Sequence, residues 1–233
     1  MSGYVGKELE LFKHALNWKK YYARFFREFL KGDVLEVGAG IGETTALLCG
    51  NNQRSWVCLE PDEQLANEII LKKENRYLPS FIEVQTGTLA EMATQRSFDT
   101  IIYIDVIEHI ENDLQELQRA ANFLNANGHI IILVPAHQYL YSVFDKAIGH
   151  FRRYDKKMLR KVIPGDLKEI DLRYLDSVGL FASLANKWFL KQEYPNLKQI
   201  KFWDNYIIPV STFTDRILFY SVGKTLTGIW QKQ

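Results

Sequence analysis

The 233-residue sequence predicts an α/β protein with a doubly wound, mostly parallel sheet and helices on both faces. Three observations predict it. Short apolar, β-branched runs alternate with stretches of helical periodicity along the first 135 or so residues. The first run ends in glycines at every second position, Gly38, Gly40 and Gly42. The run at residues 98–104 is almost uniformly apolar, as a parallel strand covered on both faces should be.

The elements follow in order. Over residues 7–30, Leu9, Phe12, Leu16, Trp18, Tyr22, Phe25, Phe26 and Phe29 recur at three- and four-residue steps, so one amphipathic helix is expected, stopped by Gly32. A strand runs into the glycines, and residues 55–59 make a second. Pro61 and Asp62 lead into a helix over 63–74. Residues 81–85 and 98–104 are the third and fourth strands, 112–124 a helix, Asn127-Gly128 a turn and 129–134 the fifth strand. Residues 167–175 fit a further strand and 179–190 a helix, after which a polar, aromatic segment over 191–206 breaks the pattern. One domain is expected over 1–233: a helical cap (1–32), a cofactor-binding core (33–136), then an acceptor-side loop, the final strands and a lid-like C-terminal addition (137–233).

Composition narrows the partners. Hydrophobic residues make up 47% of the chain, enough for a packed core and too many for disorder. A formal net charge of +1, without a basic patch interleaved with aromatics, predicts no nucleic-acid partner. Cys49 and Cys58 cannot supply a four-ligand zinc site and fit small buried hydrophobes. No apolar run approaches the roughly 18 residues of a membrane span, and no leader is evident, so a cytoplasmic location is expected. A homodimer remains open.

The chemistry begins at D-V-L-E-V-G-A-G-I-G, residues 33–42. Eighteen residues past Gly42, the second strand ends at Glu60. Strand, glycine loop, helix, strand, acid is an arrangement that holds a nucleoside, the acid accepting hydrogen bonds from ribose hydroxyls. A dinucleotide fingerprint would put its third glycine where Glu43 stands, and a carboxylate there repels a pyrophosphate. An NAD-linked oxidoreductase is therefore the disfavoured enzymatic alternative.

The E-x-G-x-G-x-G run from Glu36 to Gly42 resembles the first motif of class I S-adenosylmethionine-dependent methyltransferases. The resemblance sharpens further along. Val134-Pro135-Ala136, Leu140, Asp145, Gly149-His150-Phe151-Arg152-Arg153-Tyr154 and Leu159 are similar to a bacterial subgroup often classed as type 11, 12 or 23, whose members frequently accompany glycosyltransferases. The match extends to Glu60-Pro61-Asp62 and Gly223-Lys224-Thr225-Leu226. It implies a Rossmann-like, seven-stranded sheet whose last strand, 226–231, runs antiparallel. It also implies S-adenosylmethionine as cofactor and S-adenosylhomocysteine as product. Glu36, Gly38, Gly40, Gly42, Glu60, Pro61, Thr88, Leu89, Asp105 and Val106 would bind the cofactor, Glu36 towards its methionine end. Two departures stand out: Gly87-Thr88 replaces the usual Gly-Asp after the third strand, and Asp105 stands where asparagine or another small polar residue is frequent.

His109, just beyond the fourth strand, is the candidate catalytic base, since imidazole is matched to proton transfer near neutral pH. Its alternative role is to brace the following helix. D-x-x-E-H, formed by Asp105, Glu108 and His109, is also similar to the E-x-x-E-H metal site of some quinone-pathway O-methyltransferases. V-I-E-H-I nevertheless occurs in many methyltransferases not known to need metal, and no metal is expected. His137, His150, Arg152, Arg153 and Tyr154 are candidate acceptor-binding residues, arginine forks suiting a carboxylate or phosphate. At least one arginine is expected to be structural, pairing with Asp145 or Asp155, with Tyr154 filling a core gap. Trp18, Tyr21 or Tyr22 is placed to close over the methionine end. The implied activity is O- or N-methylation of a small polar acceptor: a sugar, a sugar acid or a lipid-linked saccharide. A non-catalytic S-adenosylmethionine-binding protein is the remaining alternative.

Overall fold

The computed structural model describes residues 8–93, 95–185 and 194–233. Seven strands form one sheet: β1 (Gly32–Val37), β2 (Gln53–Glu60), β3 (Ile82–Thr86), β4 (Phe98–Ile104), β5 (Leu124–Pro135), β6 (Leu167–Leu175) and β7 (Thr225–Lys232). Their order is β3-β2-β1-β4-β5-β7-β6, and β7 alone runs antiparallel to its neighbours. The order reverses between β1 and β4, which pair in parallel from Val34–Thr100 to Val37–Tyr103. A crevice opens beyond the carboxyl ends of strands at such a reversal.

Alternation along the strands splits the core in two. Leu35, Val57, Leu59, Ile101, Tyr103, Ile130 and Ile132 face one layer, and Val34, Trp56, Cys58, Ile102, Ile131 and Leu133 the other. Both faces of β4 are covered, which is why its sequence is apolar almost throughout. The helices are α1 (Glu8–Phe12), α2 (Leu16–Phe26), α3 (Glu43–Leu48), α4 (Glu63–Glu74), α5 (Asp113–Asn122), α6 (Val143–Ala147), α7 (Lys156–Val162), α8 (Ser177–Ala185), α9 (Leu197–Phe202) and α10 (Ile208–Ile217). Asp62, Asn112 and Asp155 cap α4, α5 and α7, each accepting a hydrogen bond from a backbone N–H of the first turn. Among the described residues, no helix is long and apolar enough to cross a membrane.

Four sequence expectations are corrected. The single N-terminal helix is two, broken at Lys13–Ala15, where Ala15 leaves helical geometry (ψ 63°). The break lets α2 bury Trp18, Tyr21, Tyr22 and Phe26 while α1 lays Leu9 against the glycine turn. The third strand begins at Ile82, paired with Trp56, and Phe81 stays exposed. The Asn127-Gly128 turn lies inside β5: Phe98 pairs with Leu124 but Thr100 with His129, so residues between them bulge out around Asn127 (φ +61°). Finally, much of the segment 191–206 is helical. Asn196 and Gln199 form a capping box, and α9 passes through a π-type turn, Trp203–Ile207, into α10. Pro209 explains the irregular turn, because it has no N–H to donate back into the helix. The predicted helix over 179–190 is observed as α8, and residues 186–190 lie outside the described part.

Candidate active site

The turn after β1 is shaped by close approach. A Cβ on Gly38 (φ +67°) would come 2.7 Å from Val106 Cγ2, so side chains are excluded there. Gly38 and Ala39 donate their N–H groups to the Leu59 carbonyl, and Gly42 opens α3 in the left-handed region. Glu60, at the end of β2, holds the turn from below: Oε2 accepts from Gly40 N–H at 2.7 Å and Oε1 from Asp62 N–H at 3.0 Å. Burial raises its pKa, and the two amides oppose the rise. Each oxygen retains a second lone pair for a hydroxyl. Beside it, Pro61 is exposed, Thr88 donates both its N–H and its hydroxyl to Glu91, and Leu89 is core.

Glu36 is turned into the protein. Its Oε2 accepts from Thr45 Oγ1 at 2.6 Å and Trp56 Nε1 at 2.9 Å, and only 3% of the residue is exposed. Burial pushes its carboxyl up to about 7, against the two hydrogen bonds. A folded pKa above the unfolded value means that stability is lost as pH rises from about 4.5 through 7. Glu36→Gln mimics the protonated acid, so without cofactor it should be more stable than the parent at pH 8 by up to about 3 kcal/mol and no more stable at pH 4. Denaturant titrations at both pH values check this; equal stabilities at pH 8 would mean that the carboxylate is not strained.

A cavity of about 290 Å³ lies between the glycine turn and the ends of β4 and β5. Phe12, Trp18, Lys19 and Tyr22 from α1 and α2 form one wall with Trp203, and Tyr21 turns away to bond Asp215. Asp105 (φ +55°), just past β4, opens onto the cavity while protein surrounds it. Burial pushes its carboxyl up to about 7, and Lys224, Lys19 and Arg153 pull it down. Lys224 lies 4.2 Å from the Trp203 ring centre and 3.6 Å from Asp176, and burial lowers its pKa.

The opposite wall carries the histidines. His109 ends a short 3₁₀ turn, Ile107–His109. Burial and the neighbouring His150 lower its pKa to about 4, so the ring is neutral at pH 7. The two rings meet edge to face with centroids 4.5 Å apart. His150 Nδ1 lies 2.9 Å from Asp145 Oδ1. Asp145 is fully buried and also takes Arg153 in a two-pronged pair (2.8 and 3.0 Å) and the Ser142 hydroxyl. Although burial works to raise it, the His150 hydrogen bond and the Arg153 charge hold this carboxyl well below the usual carboxylate range.

The His150–Tyr154 loop therefore divides. His150 and Arg153 face the cavity. Arg152 instead binds the carbonyls of Ile110 and Glu111 and pairs with Asp113 at 2.6 Å, and the buried Tyr154 donates to the same carboxylate at 2.6 Å. These two pin the loop to the end of β4. His137 (φ +65°) sits apart, stacked between Tyr139 and Tyr174 with Nε2 2.9 Å from the Gly223 carbonyl. Of the candidate residues, the cavity gathers Gly38, Gly40, Asp105, His109, His150 and Arg153. Lys19 and Phe144 were not foreseen, whereas Trp203 belongs to the C-terminal addition expected to be lid-like. Lys19 left a trace, a lone charge within the apolar stripe Ala15, Trp18, Tyr22, Phe26.

This topology, with its antiparallel β7 and its acid below a glycine turn, is the fold of S-adenosylmethionine-dependent methyltransferases. An S-adenosylmethionine-dependent methyltransferase from Clostridium acetobutylicum superposes with a TM-score of 0.61 at 13% identity, covering 94% of this chain and 92% of that one. A putative sarcosine dimethylglycine methyltransferase from Galdieria sulphuraria gives 0.63 at 17%, covering 94% and 86%. The N-methyltransferase NodS from Bradyrhizobium japonicum, in complex with S-adenosyl-L-homocysteine, gives 0.57 at 10%, covering 93% and 87%. Residues 12–191 match the family model described as a methyltransferase domain, and the chain belongs to that family. Membership of a methyltransferase family sets aside the dinucleotide-linked oxidoreductase alternative.

Proposed function

We propose that the protein methylates a hydroxyl or amine of a small, polar, anionic acceptor, a sugar acid being the type. The observation that supports this is the cavity itself. At about 290 Å³ it suits a small acceptor, and its lining is polar, with Lys19, Arg153 and Lys224 set among Glu43, Asp105, Glu108 and Asp145.

When bound, S-adenosylmethionine supplies an electrophilic methyl on a sulfonium. The chain's own residues divide the remaining work. Glu60 offers its free lone pairs to the ribose, and the glycine turn lets backbone approach. Asp105 accepts from the methionine ammonium, and Lys19 balances its carboxylate. Arg153, fixed by Asp145, orients an acidic acceptor. His109, uncharged at pH 7 and lining the same cavity as Asp105, offers its lone pair to the acceptor's hydroxyl or amine hydrogen. It takes that proton as the methyl group moves, although its lowered pKa makes it a weak base.

A screen of nucleotide sugars and sugar acids for S-adenosylhomocysteine formation tests the substrate class. With an acceptor in hand, His109→Ala should lower kcat roughly 100-fold while S-adenosylhomocysteine affinity stays near that of the parent. An equal loss of cofactor affinity would remove His109 from proton transfer. Saturable cofactor binding without turnover of any acceptor would favour the non-catalytic reading.

A further inference from the structure

Helices α9 and α10, with the π-type turn between them, leave one apolar face open to solvent among the described residues. Phe202, Tyr206, Val210, Phe213 and Ile217 recur at steps of four, four, three and four, so they lie along one side of the run from Leu197 to Ile217. Each is between 50% and 65% exposed. Exposed apolar side chains scattered singly are ordinary, but a continuous row of them marks a surface that something covers. Just past the row, Phe219 stands 88% exposed in the left-handed region (φ +50°), a conformation that costs a bulky residue.

The charges of this stretch are sorted by side. Its two acids, Asp204 and Asp215, are buried and spent on α2 and on the start of α8. Lys198, Lys201 and Arg216 are exposed, so every exposed charge from Leu197 to Ser221 is positive. A second copy of the chain is a poor occupant for such a face. A two-fold interface would set the same patch against itself and offer no acid to its cations. A lipid surface with negative headgroups answers both features at once. Aromatic and aliphatic side chains enter the boundary between headgroups and acyl chains, and the flanking cations meet the anionic headgroups.

We propose that this face docks the protein on the surface of an anionic membrane, with α9 and α10 lying in the plane of the headgroups. The helices lie on the bilayer and do not cross it, in keeping with their length and polarity. Trp203, on the buried side of the same run, lines the cavity. Docking therefore sets the cavity wall one helix diameter, about 10 Å, from the headgroups. The inference goes beyond the reading above and holds whichever acceptor is methylated.

The test uses the full chain and two kinds of vesicle, phosphatidylcholine alone and phosphatidylcholine mixed with phosphatidylglycerol, with bound protein read by flotation. Binding to the mixed vesicles is expected, weakening as salt is added, with little binding to the neutral ones. Phe213→Ser combined with Ile217→Ser should lower partitioning roughly 100-fold. Lys198→Ala combined with Lys201→Ala should lower it roughly tenfold. None of these four side chains lines the cavity, so S-adenosylhomocysteine binding and thermal unfolding should match the parent in both variants. Failure of the parent to bind the mixed vesicles would overturn the proposal, and so would binding unchanged in either variant. Sedimentation velocity without lipid examines the rival occupant. A dimer formed by the parent and lost in the serine variant would assign the face to a second copy and overturn membrane docking.

Discussion

Glu60→Ala is expected to weaken S-adenosylhomocysteine binding roughly 100-fold, close to 2.7 kcal/mol, without unfolding the protein. Two losses combine. The ribose hydroxyls lose a charged acceptor, and hydrogen bonds to charged groups are the stronger kind. Gly40 N–H and Asp62 N–H also lose their partner, so the glycine turn is no longer tied to the end of β2. Glu60→Gln keeps one acceptor oxygen and should lose roughly tenfold. Calorimetric titration of the three proteins decides the matter. Affinity of the alanine variant within about threefold of the parent would mean that Glu60 shapes the turn and does not touch the ribose.

Asp215→Ala is expected to be the most destabilising single change, at about 3–5 kcal/mol. Asp215 is fully buried and accepts three hydrogen bonds: from Tyr21 Oη at 2.7 Å, Asp176 N–H at 2.7 Å and Ser177 N–H at 2.8 Å. Alanine leaves all three donors buried and unmet. In a chain of this size the loss should lower Tm by about 10 °C. Thermal unfolding of parent and variant without cofactor provides the readout, and a shift under about 2 °C would show that water enters and satisfies the donors.

Much of the fold was legible because its determinants are local. The strand β6 and the helix α4 follow from periodicity and caps that lie within a few residues of them. The breaks were not legible, because each answers to something distant. The interruption at Ala15 reflects where α1 must lie over the glycine turn, and the turn at Trp203–Ile207 depends on how Pro209 meets a helix that the polar composition of 191–206 concealed. The site divides the same way. Gly38, Gly40 and Glu60 stand in one contiguous pattern. Lys19, Trp203 and Lys224 converge from both ends of the chain, and no spacing rule links them. In His150-Phe151-Arg152-Arg153-Tyr154 the residue types showed a charged loop. Which arginine faces the cavity depends on where Asp113 and Asp145 sit, 39 and 8 residues from their partners.

The contacts between α2 and the C-terminal helices bear on how the protein is made. Asn17 and Trp18 donate their backbone N–H groups to Asp204, 187 and 186 residues away, and Tyr21 reaches Asp215 across 194. During synthesis the N-terminal helices leave the ribosome long before these acceptors exist. Their aromatic face must wait, or rest on the sheet without its polar ties. Pairings so distant in sequence are among the last to be gained, since closing the intervening loop comes before any reward. The parallel strands β1 to β5 and the glycine turn can therefore assemble first, and β7 and the helical wall over the cavity are completed only at the end.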